Sequence, residues 1–564
     1  MKTLPSAHPW VVLVLLLIWA FVPLRAHGKT FPSTEPQNPA GQCPAVKANP
    51  ARTTAAAVWN GWGVDLANTR FQPAAQAGLT ADQIPHLRLK WAFGFKDATM
   101  AFSQPAIAGG RLFVGSESGV VYALDPASGC THWTFQAKGA VRTGFAIGPG
   151  KESSTSVLYF GDQHGGVFAL GAASGELLWK AQADPHPAAM ITGTPQLWKG
   201  HLYVPVASYE ENFSPNPHYE CCTFRGSVVA LDATTGKLLW QTYTVADAPQ
   251  KTGISKSGTQ LWGASGAAVW SAPTLDPAHR ALYVATGNNY SAPLTKTSDS
   301  ILAIDLDTGK IRWTQQMTPN DAYNSSCETF LDATQSNCPP NHGSDFDFGS
   351  SPILVVAGNG RQILVASQKS GIVYGLDPAQ AGKVIWQTRI GKGGSLGGIE
   401  WGSAADREKV YAALSDCNWK TYDRVRNGQK ISEVDMDNES GGGLFALRLS
   451  DGQIVWQTST PPACADREHC SPAQLAAVTA LPGAILSGSL DGHLRAYASQ
   501  TGKILWDFNT ALDFHTVNGV PAHGGSINGP GAVVVGGMLY VNSGYSRFGE
   551  AGGNVFLAFS VDGK

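Results

Sequence analysis

One pattern recurs along the chain and restricts what it can become. ALDPASGCTHW, ALGAASGELLW, ALDATTGKLLW and AIDLDTGKIRW end at Trp133, Trp179, Trp240 and Trp313, and three further copies end at Trp386, Trp456 and Trp506. Each copy reads as an alternating apolar strand, a tight Ser/Thr/Asp-Gly turn, and a returning strand whose tryptophan packs its ring. Recurrence at 46 to 73 residues suits one propeller blade per unit better than a string of separate domains. An eighth unit is split: NVFLAFSVDGK, Asn554 to Lys564, enters the pattern without reaching a tryptophan, and LRLKWAF, Leu87 to Phe93, offers a tryptophan strand with nothing before it. Joined, the two predict an all-β, eight-bladed β-propeller whose ring is closed by N- and C-terminal strands. Sixty-four glycines and 17 tryptophans agree with many short strands and turns. The widening repeat spacing predicts inserted loops on one face, often the working face.

Compartment and partners follow from simpler features. Residues 1–28 carry an apolar run from Trp10 to Leu24, short for a membrane span, and read as a secretory signal peptide, with an uncleaved N-terminal anchor as the alternative; 29–58 form an N-terminal extension and 59–564 the propeller. The protein is therefore expected to be periplasmic or secreted, with no membrane span in the mature chain. A formal charge of -2 with signs mixed leaves no basic stripe for nucleic acid. Among nine cysteines, Cys221 and Cys222 are adjacent, so a bond between them closes a small ring and ties no distant segments together.

These repeats resemble the tryptophan-docking motif of quinoprotein alcohol dehydrogenases, eight-bladed propellers that hold pyrroloquinoline quinone (PQQ) and a calcium ion on the ring axis. WNGWGVDLANTRFQP, Trp59 to Pro73, is similar to the opening segment of that superfamily, and within it ECCTFRGSVVALDA and the NDAYN and DFDFGSSPILV stretches look most like polyvinyl alcohol dehydrogenases. The resemblance implies oxidation of a secondary or polymeric alcohol. Such relatives usually carry a haem c segment, yet the chain contains no C-x-x-C-H, so its electrons are expected to pass to an external cytochrome c or similar acceptor. The rival reading is a noncatalytic propeller scaffold in the cell envelope.

The resemblance also implies roles for individual residues. A metal-binding glutamate falls at Glu210, with Glu211 and Glu220 as rivals; the asparagine ligand falls at Asn288, in a Gly-Asn pair, and Trp270 matches the floor beneath PQQ. The base and an extra carboxylate near the metal fall in SDFDFG in one of two registers, with Asp345 as base and metal ligand and Asp347 as the extra carboxylate, or with Asp347 as base; Asp321 is a third claimant. An Asp-x-Asp pair also leaves open a lanthanide in place of calcium. Lys369 and Arg142 match the cations for the quinone oxygens and carboxylates, and Thr192 a polar contact. Cys221 and Cys222 would lie as a flat lid over the cofactor, opposite Trp270. Cys327 with Cys338, and Cys464 with Cys470, each bracket a short inserted segment, which leaves Cys43, Cys130 and Cys417 with one thiol over.

Overall fold

The computed structural model describes residues 41–44, 58–151 and 155–563; the expected signal peptide and most of the 29–58 extension lie outside them. Eight antiparallel sheets make the ring, seven of four strands and one of five, where the inner strand of blade 3 is broken into Ala189–Met190 and Gln196–Trp198. Blades 1 to 7 run, from inner to outer strand, over residues 106–136, 146–182, 189–243, 274–316, 353–389, 404–458 and 479–509. Blade 8 takes its three inner strands from Val533–Val535, Met538–Ser543 and Val555–Val561 and its outer strand from Leu87–Gly94, paired in register from Leu87 opposite Val561 to Gly94 opposite Val555. The split eighth unit thus closes the ring as expected.

The repeat owes its spacing to a contact between neighbouring blades. Trp179 in the outer strand of blade 2 lies against the turn of blade 3, where a Cβ added to Gly236 would stand 2.6 Å from the indole, and its Nε1 donates to the Ala233 carbonyl at 2.9 Å. Trp240 repeats this on Gly309, with Nε1 donating to the Leu306 carbonyl at 3.3 Å. Both glycines have positive φ, 71° and 72°, so the turn needs glycine for its backbone as well as for the ring above it. Trp91 serves blade 8 in the same way, donating to the Pro126 carbonyl at 3.2 Å.

An inner strand leaves one edge without a neighbour, and those groups need partners. The opening segment supplies them for all eight blades. Trp59 bridges Ile107 of blade 1, and Asn60 exchanges two side-chain hydrogen bonds with Ile147 of blade 2. The Asn68 amide accepts from Gln196 of blade 3, while the carbonyls of Leu66, Ala67 and Thr69 accept from Leu275, Leu354 and Ala405 in blades 4, 5 and 6. Phe71 bridges Ala480 of blade 7, and Gln72 donates to the Val534 carbonyl of blade 8 at 2.8 Å. Arg70 is wholly buried at this hub: it donates to the carbonyls of Val478 and Trp62, to Gln104 and to Thr479, and lies over the rings of Trp59 and Trp62. Burial lowers its guanidinium to about 9.

Antiparallel pairing sorts the connections between two faces. The repeat turns carrying the glycines lie on one. The other receives the links between blades and those between each blade's second and third strands, and these carry the insertions: hairpins at 250–263 and 419–436, and the long segments 209–226 and 317–352. Four disulfides form among the described residues, Cys43–Cys130, Cys221–Cys222, Cys327–Cys338 and Cys464–Cys470. Cys417 is the thiol left over; burial pushes it up to about 12.

Candidate functional site

The inserted face carries every residue singled out in the sequence. Arg142, Trp270 and Asp345–Asp347 precede inner strands, and Thr192 lies in the break of blade 3's inner strand; Glu210, Cys221, Cys222, Asn288 and Lys369 lie between second and third strands. Asp347 Oδ1 accepts the Asn288 backbone N–H at 2.6 Å, and Asp345 Oδ2 accepts from Lys369 Nζ at 2.8 Å, with all four residues buried. The Asn288 side chain donates to the Tyr323 carbonyl at 2.7 Å, whereas its Oδ1 is buried with no protein partner. A buried amide oxygen left so is costly unless something electropositive meets it.

Carboxylates crowd this place. Burial and then the charge of Asp347 push Glu211 up to about 7; burial likewise lifts Glu400 to about 7, with Lys369 opposing. Asp345 and Asp299 are both held well above the usual carboxylate range, chiefly by burial. For Asp345, Lys369 pulls the other way while Asp347 and Glu211 add to the lift. Neither carboxylate oxygen of buried Asp299 has a hydrogen-bond partner, and one oxygen each of Asp321 and Glu400 lacks one. Lys369 stays protonated, raised by Asp345 and Glu400 against the cost of burial. So much negative charge around one lysine fits a multivalent cation with oxygen ligands.

The two candidate glutamates part company. Glu210 has both oxygens filled by the protein: Oε1 accepts from Tyr219, the Thr223 backbone and the Thr223 hydroxyl at 3.0, 2.7 and 3.1 Å, and Oε2 accepts from Phe224 N at 2.7 Å. Glu211, the next residue, is the one that feels the charges of Asp347, which raises it, and of Lys369, which lowers it. Glu220 accepts from the Trp262 indole and is exposed. Asp321 accepts from Phe346 N at 2.9 Å and so braces the backbone between Asp345 and Asp347.

Beside the carboxylates lies an aromatic floor. Trp270 meets Trp401 edge to face at 5.2 Å, and Trp401 in turn meets Tyr545 at 6.3 Å. A small cavity opens among Trp270, Trp401, Phe102, Arg142 and Thr192. Thr192 spends its hydroxyl on the Trp270 carbonyl at 3.0 Å and so fixes the floor's backbone. Arg142 is buried over the Trp401 ring at 4.3 Å and donates to the Tyr545 hydroxyl at 2.5 Å; no carboxylate pairs with it among the described residues, and burial lowers its pKa. An unpaired buried guanidinium calls for an anion. The Cys221–Cys222 disulfide is buried, and Trp270 packs against the same apolar cluster.

Sequence reasoning passed over Glu400, Trp401, Asp299 and Tyr545. Trp401 and Trp270 each stand just ahead of an inner strand, the shared signal by which the Glu400-Trp401 pair could have been found. The described Cys327, Cys338 and His342 also lie close together, but both sulfurs are spent in a disulfide.

Comparison with known proteins places this arrangement. The family described as "Outer membrane protein assembly factor BamB" matches residues 62–264 and 255–418. A polyvinylalcohol dehydrogenase from a Pseudomonas species is 42% identical over 90% of this chain and 77% of its own length, and one from Sphingopyxis sp. (strain 113P3) is 41% identical over 93% and 79%. Among solved structures, the quinohemoprotein alcohol dehydrogenase of Comamonas testosteroni superposes with a TM-score of 0.64 at 20% identity, covering 91% of this chain and 82% of that one. A europium-containing methanol dehydrogenase also gives 0.64 at 20% identity, over 89% and 98%.

Proposed function

For a chain that belongs to the polyvinyl alcohol dehydrogenases, within the PQQ-dependent alcohol dehydrogenases, we propose that the substrate is a secondary or polymeric alcohol such as polyvinyl alcohol, and that its electrons leave to a separate c-type cytochrome. The observation that carries the reading is the meeting, on the inserted face, of an unpartnered Asn288 oxygen, an excess of carboxylates and a buried Arg142 without an anionic partner. Those groups fit a divalent or trivalent cation together with a flat polyanion.

Glu211, Asn288 and Asp347 would hold the cation, calcium or a lanthanide; Arg142 would take a cofactor carboxylate, Lys369 a quinone oxygen, and Trp270 and the Cys221–Cys222 ring its two faces. PQQ and its cation, when bound, would supply an electrophilic carbonyl as the acceptor of a hydride from the alcohol carbon. Asp345 receives the hydroxyl proton. Its charged form is favoured by Lys369 at 2.8 Å and would be favoured further by a bound cation, so the residue can act as a base although burial alone opposes ionisation. The apolar wall around Trp270 and Trp401 excludes water from that transfer. The apolar N-terminal run and the four disulfides support export to an oxidising compartment.

The test is reconstitution. Purified protein incubated with PQQ and calcium is expected to reduce an artificial electron-accepting dye when given polyvinyl alcohol or a small secondary alcohol. Absence of PQQ binding by absorbance titration would end the reading; activity with primary alcohols alone would end its substrate part.

A further inference from the structure

Among the functional residues, Glu210 makes the densest set of contacts, and they converge on one short stretch of chain. Thr223 and Phe224, the two residues directly after the vicinal disulfide, both aim their backbone N–H at its carboxylate, at 2.7 Å each, and Tyr219, two residues before the disulfide, donates its hydroxyl at 3.0 Å. A second layer holds the first. His186 Nδ1 accepts the Ala188 N–H at 3.2 Å, so Nε2 carries the hydrogen and points it at the Thr223 hydroxyl 2.9 Å away; that hydroxyl is then free to donate to Glu210 Oε1 at 3.1 Å. Glu210 is anchored by its own N–H to the Ser208 hydroxyl at 2.8 Å, at the end of the strand His201–Ser208. The carboxylate is completely buried, and each of its oxygens is engaged.

We infer that Glu210 is a positioning residue: it clamps the 219–224 loop to the blade 3 scaffold and thereby fixes the Cys221–Cys222 ring as a rigid wall of the cofactor site, while the adjacent Glu211 is left to face the metal. The inference rests on the cofactor reading above in taking that ring for a wall of the site; the clamp itself is independent of it. Two neighbouring glutamates divide the work because they open the 3-10 turn Glu210–Phe213, where successive side chains project about 120° apart around the axis. Its other ties run to inserted segments and to the stretch after them: Cys222 N to the Trp262 carbonyl, Trp262 N to the Cys221 carbonyl, Gly266 N to the Phe224 carbonyl, the Trp262 indole to Glu220 and the Asn337 amide to the Tyr219 carbonyl. The fastening to the strand His201–Ser208 runs through the Glu210 carboxylate. A charged acceptor taking several N–H and O–H donors is a strong fastening, and replacing it leaves buried donors unmet.

Glu210→Gln keeps the volume but turns an amide NH2 toward donors, and Thr223→Val is the milder companion that removes one hydroxyl from the same network and keeps the fold. Two readouts are taken on each variant and on Glu211→Gln. The first, made without cofactor, is the rate at which a small thiol reductant opens Cys221–Cys222, followed by alkylation and mass spectrometry of the peptide. The second is the dissociation constant for PQQ in calcium, from quenching of tryptophan fluorescence. Glu210→Gln should open the disulfide and weaken PQQ binding, each by about tenfold or more, Thr223→Val should shift both in the same direction by less, and Glu211→Gln should leave the disulfide at the wild-type rate. Wild-type disulfide reactivity in both Glu210→Gln and Thr223→Val would overturn the clamp, as would loss of calcium binding by Glu210→Gln, followed with terbium luminescence, with the disulfide rate unchanged. If the wild-type protein bound no PQQ, the cofactor reading would fail while the reductant assay still decided the clamp.

Discussion

Raising the pH from 5 to 7.5 should destabilise the protein freed of metal and cofactor, against the usual trend in which paired carboxylates make a protein weakest in acid. Glu400 and Glu211 are lifted from the ordinary value of 4.5 to about 7. Between those limits the native state holds protons that the unfolded chain releases, so stability falls with pH, and it is fully present only below the unfolded value. For buried Glu400 the lift corresponds to about 3.4 kcal/mol. Glu211 is partly exposed, and solvent screening cuts its share to roughly half that, for about 5 kcal/mol together, of which the window from pH 5 to 7.5 captures about 3.5 kcal/mol. Carboxylates with lowered values work the other way, but below that window: Asp305 and Asp332, held at about 2, contribute stability that is lost only as the pH falls beneath the ordinary value of 3.8. At about 2.1 cal/mol/K per residue a chain of this length unfolds with an entropy of about 1.2 kcal/mol/K, so the midpoint should drop by about 3 °C. Differential scanning calorimetry in chelator, stepped from pH 5 to 7.5, measures this. Calcium should remove most of the slope by taking the place of the protons, and Glu400→Gln should remove its part in the apoprotein. A midpoint that is level or rises over that range without metal would refute the reasoning.

Two substitutions test other joints of the structure. Asp345→Asn should lower turnover by about 10² to 10⁴ while PQQ affinity, read by fluorescence quenching, stays within a few fold, because a proton acceptor is lost and not a binding contact; equal loss of affinity would move the base elsewhere. Arg70→Met keeps the volume at the hub but withdraws donors from Val478, Trp62, Gln104 and Thr479, at a cost of about 3 to 5 kcal/mol in stability. Its urea midpoint should fall accordingly, and an unchanged midpoint would mean that desolvating the guanidinium offsets all that its hydrogen bonds contribute.

The ring was legible in the sequence because its interactions are local and repeated. A tryptophan such as Trp179 and a glycine such as Gly236 are fixed by one turn and one neighbouring blade, and seven copies of the same solution cannot be mistaken for chance. The split blade was legible for the same reason, since each half lacked what the other carried. The site is a different kind of object. Its members come from separate connections, 142, 270, 288, 345–347, 369 and 400, and what binds them is a charge balance that only proximity creates. Motif position could bring the reader to the pair Glu210-Glu211 but not choose within it, because the choice depends on where the Thr223 and Phe224 N–H groups point. Asp299 left no trace in the sequence at all: it stands ahead of a strand as any turn aspartate might, and only the absence of a donor for either oxygen in a buried, acidic surrounding distinguishes it. Backbone demands are written residue by residue and recur, whereas a polyvalent site is written once, across the ring, in residue types that elsewhere serve as turns and caps. Orphaned polar atoms inside a well-satisfied scaffold are therefore the better guide to it, and here they gather where the motif positions had already pointed.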